Sequence, residues 1–103
     1  MAEKTIAGVT VQVDDEGYLL DPNQWTEELA REMAKEEGLE LTDQHLAVLK
    51  FLREKYLGGE TLTIRAVGKS GIVDIKGFYK LFPGAPLKKA SKYAGLPKPS
   101  SCV

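Results

Sequence analysis

From Asp21 onward the chain is cut by helix stops at short intervals: Gly38, Gly58-Gly59, Pro83-Gly84 and Gly95. Proline removes a backbone donor and glycine favours the turn that ends a helix, so this spacing leaves room only for short helices. Start signals fit between the stops. Asp21 before Pro22 reads as an N-cap followed by proline at the first helical position. Thr42 and Asp74 read as further caps, and Pro86 opens a last helix that runs to about Ala94. Apolar residues recur at helical spacing inside these windows. Trp25, Leu29 and Met33 stand four apart with Ala30 and Ala34 alongside. Leu46, Leu49, Leu52 and Tyr56 form a second stripe with Phe51 nearby, and Ile75, Phe78, Tyr79 and Phe82 form a third. Trp25 is read as a core anchor on the first helix rather than a stacking platform. Thr61–Val67 fits either a strand or a helical segment capped by Thr61, and GKSG is a loop.

Before Asp21 the period changes. TIAGVTVQV places β-branched runs on both sides of Ala7-Gly8, which signals a hairpin. DDEGYLLD supplies a turn at Asp15-Glu16-Gly17 and a short third strand at Tyr18–Leu20. The expected class is therefore α+β and mostly helical: a small N-terminal hairpin or meander, then a helical bundle with a helix-turn-helix-like pair. At 103 residues one core can be buried without disulfides or metals. Residues 1–94 are expected to form the globular domain and 95–103 a flexible, extended arm. The prolines of LPKPSSCV forbid helix, and seven residues from Gly95 to Cys102 reach roughly 23–25 Å.

Charge is divided along the chain. Residues 1–60 carry 6 Lys/Arg and 14 Asp/Glu, whereas residues 61–103 carry 8 Lys/Arg and Asp74 alone. Such a division either neutralises itself in the fold or offers the basic half to an anionic partner. No apolar run approaches the ~18 residues that span a bilayer. The start, MAEKTIAGV, has neither basic flank nor apolar h-region, which gives the expectation of a cytoplasmic protein without membrane contact.

Chemistry-bearing residues are few. One His and one Cys give no metal-ligand spacing, so no metal and no cofactor are expected. Glycine-rich phosphate loops and metalloprotease motifs are missing. His45 and Cys102 could pair as base and thiol nucleophile, but a lone helical histidine is more often structural. No self-contained active site is legible, and enzyme status stays open. A DNA-reading helix pair is opposed by Glu27, Glu28, Glu32, Glu36, Glu37, Glu40 and Asp43, which would face phosphates, so the alternative from another class is a DNA-binding regulator that uses the basic second half. What stands out is the thiol of Cys102 at the end of a proline-stiffened tether. A thiolate is a sulfur nucleophile, and a tether lets it enter another protein's pocket.

The ending AGLPKPSSCV resembles the signature of the DsrC/TusE family of small sulfur-carrier proteins, with Gly95, Leu96, Pro97, Lys98, Pro99 and Cys102 matching. DDEGYL (Asp14–Leu19), Trp25, LTDQH (Leu41–His45), Arg65 and LFP (Leu81–Pro83) agree in the same order. Leu46, where members often carry an aromatic, and Lys69-Ser70-Gly71 depart from the pattern. The resemblance implies that Cys102 accepts a persulfide sulfur from a donor of TusBCD/DsrEFH type. It would pass that sulfur toward a tRNA thiouridylase making 2-thiouridine, with indirect tRNA association, or toward another enzyme of sulfur metabolism. Members that partner dissimilatory sulfite reductase, as its gamma subunit, carry a second cysteine eleven residues before the penultimate one. Ser91 stands there, which implies relay without disulfide cycling. Lys88, Lys89 and Lys92 are the candidate basic docking surface, and Lys98 a candidate support for the anionic sulfur.

Overall fold

The computed structural model describes residues 2–6 and 8–98. Strands β1 (Ala2–Ile6) and β2 (Val9–Val13) pair antiparallel, with Ile6 opposite Val9 and Ala2 opposite Val13. Ile6, Val11 and Val13 are buried, so one face of the hairpin lies on the core. The expected third strand reduces to one bridge, Val13 to Leu19, after a turn held by Asp14. The Asp14 carboxylate accepts the N–H groups of Glu16 and Tyr18.

Five α-helices follow among the described residues: α1 (Glu27–Glu36), α2 (Asp43–Leu57), α3 (Ile64–Gly68), α4 (Ile75–Leu81) and α5 (Pro86–Tyr93). The expectation that Asp21 starts the first long helix is corrected. Asp21 caps only a 3-10 turn, Pro22–Gln24, by accepting the Asn23 N–H. Trp25 then adopts extended backbone, and Thr26 restarts the chain as the cap of α1 through Leu29 N–H. A second cap five residues after the first, backed by Glu27 and Glu28 in the first turn, outcompetes continuation. Trp25 thus sits before α1 and not on it. Helix α2 begins at Thr42 as expected, and His45 completes a capping box. On the α2 stripe Leu46, Leu49 and Leu52 are buried, whereas Tyr56 is exposed.

Thr63, not Thr61, caps α3, accepting the Ala66 N–H. Asp74 caps α4 through Gly77 N–H. Of the four aromatic and aliphatic residues expected to face inward there, Phe78 and Phe82 are fully buried, while Ile75 and Tyr79 are largely exposed. The direction is set by a ring cluster in which Phe82 meets His45, Phe78 and Tyr93 at centroid distances of 5.1, 5.7 and 6.1 Å. Ile75 instead folds over Gly68, where an added methyl would come within 2.6 Å of it.

Helix α5 is the central element, packed against α1, α2 and α4. Pro86, Leu87, Ala90, Ser91 and Tyr93 of this helix are buried. Both members of the α1–α2 pair rest principally on α5. The acidic and basic halves also meet here: Lys92 Nζ and Tyr93 OH both donate to Glu37, at 2.5 Å each. Burial raises the Glu37 pKa, but the hydrogen bonds from Lys92 and Tyr93 and the charges of Lys92 and Lys89 outweigh it and leave the carboxylate below its ordinary range. Burial, reinforced by Glu37, pushes the Tyr93 phenol above the usual tyrosine range.

A carboxylate with a depressed folded-state pKa stabilises the fold above its unfolded value and loses that contribution as pH falls through the folded value. The stability gap between the wild type and Glu37→Gln should therefore be constant near neutrality and shrink as pH falls below the unfolded value of 4.5. Urea melts at a series of pH values measure it; a gap that persists into acid would remove Glu37 as the ionised link between α1 and α5.

Candidate functional site at the C-terminal end of α5

A helix ends with carbonyls that its own backbone cannot satisfy. At the end of α5 the chain turns through Gly95, with φ at +73°. The Gly95 N–H reaches Lys92 O at 3.2 Å and the Leu96 N–H reaches Ser91 O at 3.0 Å, the paired bonds of a Schellman motif. Leu96 is fully buried and belongs to the core cluster. Its apolar anchor holds the residue that follows the turn.

Two further carbonyls are met from outside the helix. Trp25 Nε1 donates to Tyr93 O at 2.7 Å, and Arg53 Nη1 donates to Ala94 O at 2.9 Å. The Arg53 guanidinium lies 4.6 Å from the Trp25 ring centre, a cation–π stack. Burial lowers the Arg53 pKa from its usual range. Arg53 was not legible as a site residue, although it stands seven residues after Leu46 and so falls on the α2 stripe. A cation on an apolar stripe needs a partner, and that was the available signal.

Helices α1 and α2 close by the same backbone device at Gly38 and Gly59, with φ at +79° and +82°. The surroundings differ. A methyl added at Gly38 or Gly59 would meet no atom within 4 Å, whereas one at Gly95 would lie 2.7–2.9 Å from three Trp25 side-chain atoms. Gly95 is closed to other residues by space as well as by conformation.

The remaining expected site residues fall in two groups. Pro97 and Lys98 are exposed, and Lys98 Nζ pairs with Glu16 at 3.0 Å. They form one wall of a cleft of about 500 Å³ whose other side includes Tyr56, Glu60 and Leu62. Pro99 and Cys102 lie outside the described residues. Lys88, Lys89 and Lys92 do converge, on a groove of about 240 Å³ that Glu16, Tyr18 and Glu37 also line. The groove is mixed in charge, and Lys92 is already paired with Glu37. Tyr18 OH donates to Lys88 O at 3.4 Å across it.

Ser91 is fully buried, and its hydroxyl has no hydrogen-bond partner among the described residues. His45 has both ring nitrogens engaged: Nδ1 accepts the Thr42 N–H at 3.0 Å, which leaves the Nε2 proton to be donated to Leu81 O at 2.7 Å. It is a buried structural residue without a nitrogen free to act as a base. Among the described residues no three His, Cys, Asp or Glu side chains are grouped so that they could hold a metal ion. No helix among them is long and apolar enough to cross a membrane.

Compared with known proteins, residues 5–103 match the family described as DsrC like protein. The chain belongs to that family. Sulfurtransferase TusE of Salmonella typhimurium is 40% identical over 105 residues, covering 93% of this chain and 95% of the relative. The TusE homolog of Haemophilus influenzae is 40% identical over 107 residues, covering 95% and 97%. The NMR structure of Allochromatium vinosum DsrC superposes with a TM-score of 0.83 at 39% identity, covering 99% of this chain and 100% of that one. The oxidised gamma subunit of dissimilatory sulfite reductase from Archaeoglobus fulgidus gives 0.83 at 32% identity with the same coverage. The hairpin followed by short helices is thus the DsrC-like fold.

The closing turn of this DsrC-like chain gives a direct test. Gly38→Ala should cost about 1–2 kcal/mol, the penalty for a side chain in left-handed backbone. Gly95→Ala should cost a further ~1–3 kcal/mol for overpacking against Trp25. Urea unfolding of both variants checks the order; equal losses would show that Trp25 does not wall the turn.

Proposed function

We propose that this protein is a sulfur carrier in which Cys102 cycles between thiol and persulfide. The observation that carries the reading is that the family match runs through residue 103 and includes the chain's only cysteine. The relatives named as sulfurtransferases support it. So does the anchored turn at Gly95-Leu96, which roots the segment that ends in that thiol.

Two displacements account for the relay. The Cys102 thiolate attacks the outer sulfur of a donor persulfide; the new S–S bond forms as the donor's S–S bond breaks, and the donor leaves as thiolate. An acceptor thiolate then attacks the outer sulfur on Cys102, which departs as thiolate in turn. One sulfur moves at each step, the proton equilibrates with solvent, and no external oxidant is consumed. Both steps run fastest when the attacking thiol's pKa is near ambient pH.

Our reading places a multi-subunit donor of TusBCD/DsrEFH type upstream and a tRNA thiouridylase downstream, on the strength of the TusE relatives. Ser91 where disulfide-cycling members have cysteine favours a single-thiol relay. Lys88 and Lys89, which have no ion pair among the described residues, are the members of the lysine cluster left to meet a partner's carboxylates. The DNA-binding alternative draws no support from the relatives' names, and α1 and α2 carry Glu27, Glu28, Glu32, Glu36, Asp43 and Glu54, which would oppose a phosphate backbone.

Intact mass after incubation with a small persulfide donor tests the carrier reading. The wild type should gain one sulfur atom that a reductant removes, and Cys102→Ser should gain none. Equal loading of both proteins, or none on the wild type, would overturn it.

A further inference from the structure

The donors that reach Tyr93 O and Ala94 O come from two different elements, the segment entering α1 and the body of α2. Tyr93, Ala94 and Leu96 are fully buried, so these carbonyls need protein donors. Burial does not dictate which elements supply them, and an arginine packed between an indole and a helix end has given up part of its hydration. What two converging donors add is direction. They fix the end of α5 relative to α1 and α2, Gly95 lies flat against the indole, and Leu96 is pinned in the core. Three fixed points in consecutive residues leave Pro97 one line of departure, and its ring narrows the backbone further.

We infer that Arg53 and Trp25 are positioning residues that set the direction in which the Cys102-bearing segment leaves the domain. The geometric part stands by itself; its consequence for sulfur transfer rests on the carrier reading above. A thiol that must enter a protein pocket benefits from a tether aimed in advance, because less freedom is lost on docking. A small reagent in solution gains nothing from that aim. Arg53 acts through the root of that segment, so thiol chemistry with small donors should be indifferent to it.

The chain supplies its own probes, since Trp25 is its only tryptophan and Cys102 its only cysteine. An energy acceptor attached to Cys102 and excited from Trp25 reads the distribution of distances between root and tip. In Arg53→Met that distribution should be broader than in the wild type. Arg53→Lys keeps one donor but not the planar stack and should fall between. Arg53→Gln, neutral and still a donor, serves if Arg53→Met does not fold. Unlabelled proteins are then loaded from glutathione persulfide and from persulfide-bearing rhodanese. Arg53→Met should match the wild type with glutathione persulfide and load several-fold more slowly from rhodanese. Distributions of equal width, together with equal rates from both donors in a folded Arg53 variant, would overturn the inference. If the wild type takes sulfur from neither donor, the carrier reading falls, and the distance distributions still decide the positioning role.

Discussion

The end of α5 is where the chain stops being helix and cannot be left to solvent. Its last carbonyls face a protein interior made by α1, α2 and the residues just after the helix. Among the described residues four donors meet them: two backbone N–H groups from the turn, the Trp25 indole and the Arg53 guanidinium. The arrangement works only with glycine at position 95, because both the +73° backbone angle and the indole surface exclude a side chain. Most of the architecture bears on that point. The break at Trp25 between the 3-10 turn and α1 brings the indole to the helix end, and α2 brings the arginine.

The second constraint is electrostatic. The sequence divides into an acidic and a basic half, and the fold joins them at α5 through Lys92–Glu37 and at the chain's far end through Lys98–Glu16. The first pair is the more protected, with side chains 21% and 34% exposed, and Tyr93 adds a hydrogen bond to the same carboxylate. The second is exposed on both sides, so it contributes little to stability. Part of the charge division is therefore consumed within the fold. Lys88 and Lys89 remain as the cations of that groove without an ion pair among the described residues.

Local signals in the sequence located most elements because each carries its own cap or stop. Thr42, Asp74, Pro86 and the glycines after α1, α2 and α5 act within a few residues of themselves. What failed was wherever a residue's role depends on a distant partner. Trp25 looks helical by spacing to Leu29 and Met33, yet Thr26 breaks the helix and the indole is recruited by a carbonyl 68 positions away. Tyr79 and Ile75 look inward by period, but Phe82 had already fixed the inward direction of α4 by packing on His45 and Tyr93. Leu96 reads as arm because prolines follow it, whereas its side chain is part of the core. Arg53 has no local mark of its role, since its two partners, the Trp25 indole and the Ala94 carbonyl, lie far from it in the sequence.

The proposed relay thus joins a thiol near the chain's end to a root built from residues far apart in the sequence. The root is the part on which everything else turns, and native-state hydrogen exchange reads it directly. The Leu96 amide, bonded to Ser91 O and buried with its side chain, should exchange as slowly as the amides of Leu49 and Phe78, only through global unfolding. Exchange of Leu96 at the rate of an unprotected amide, with Leu49 and Phe78 still protected, would contradict a rooted C-terminal segment.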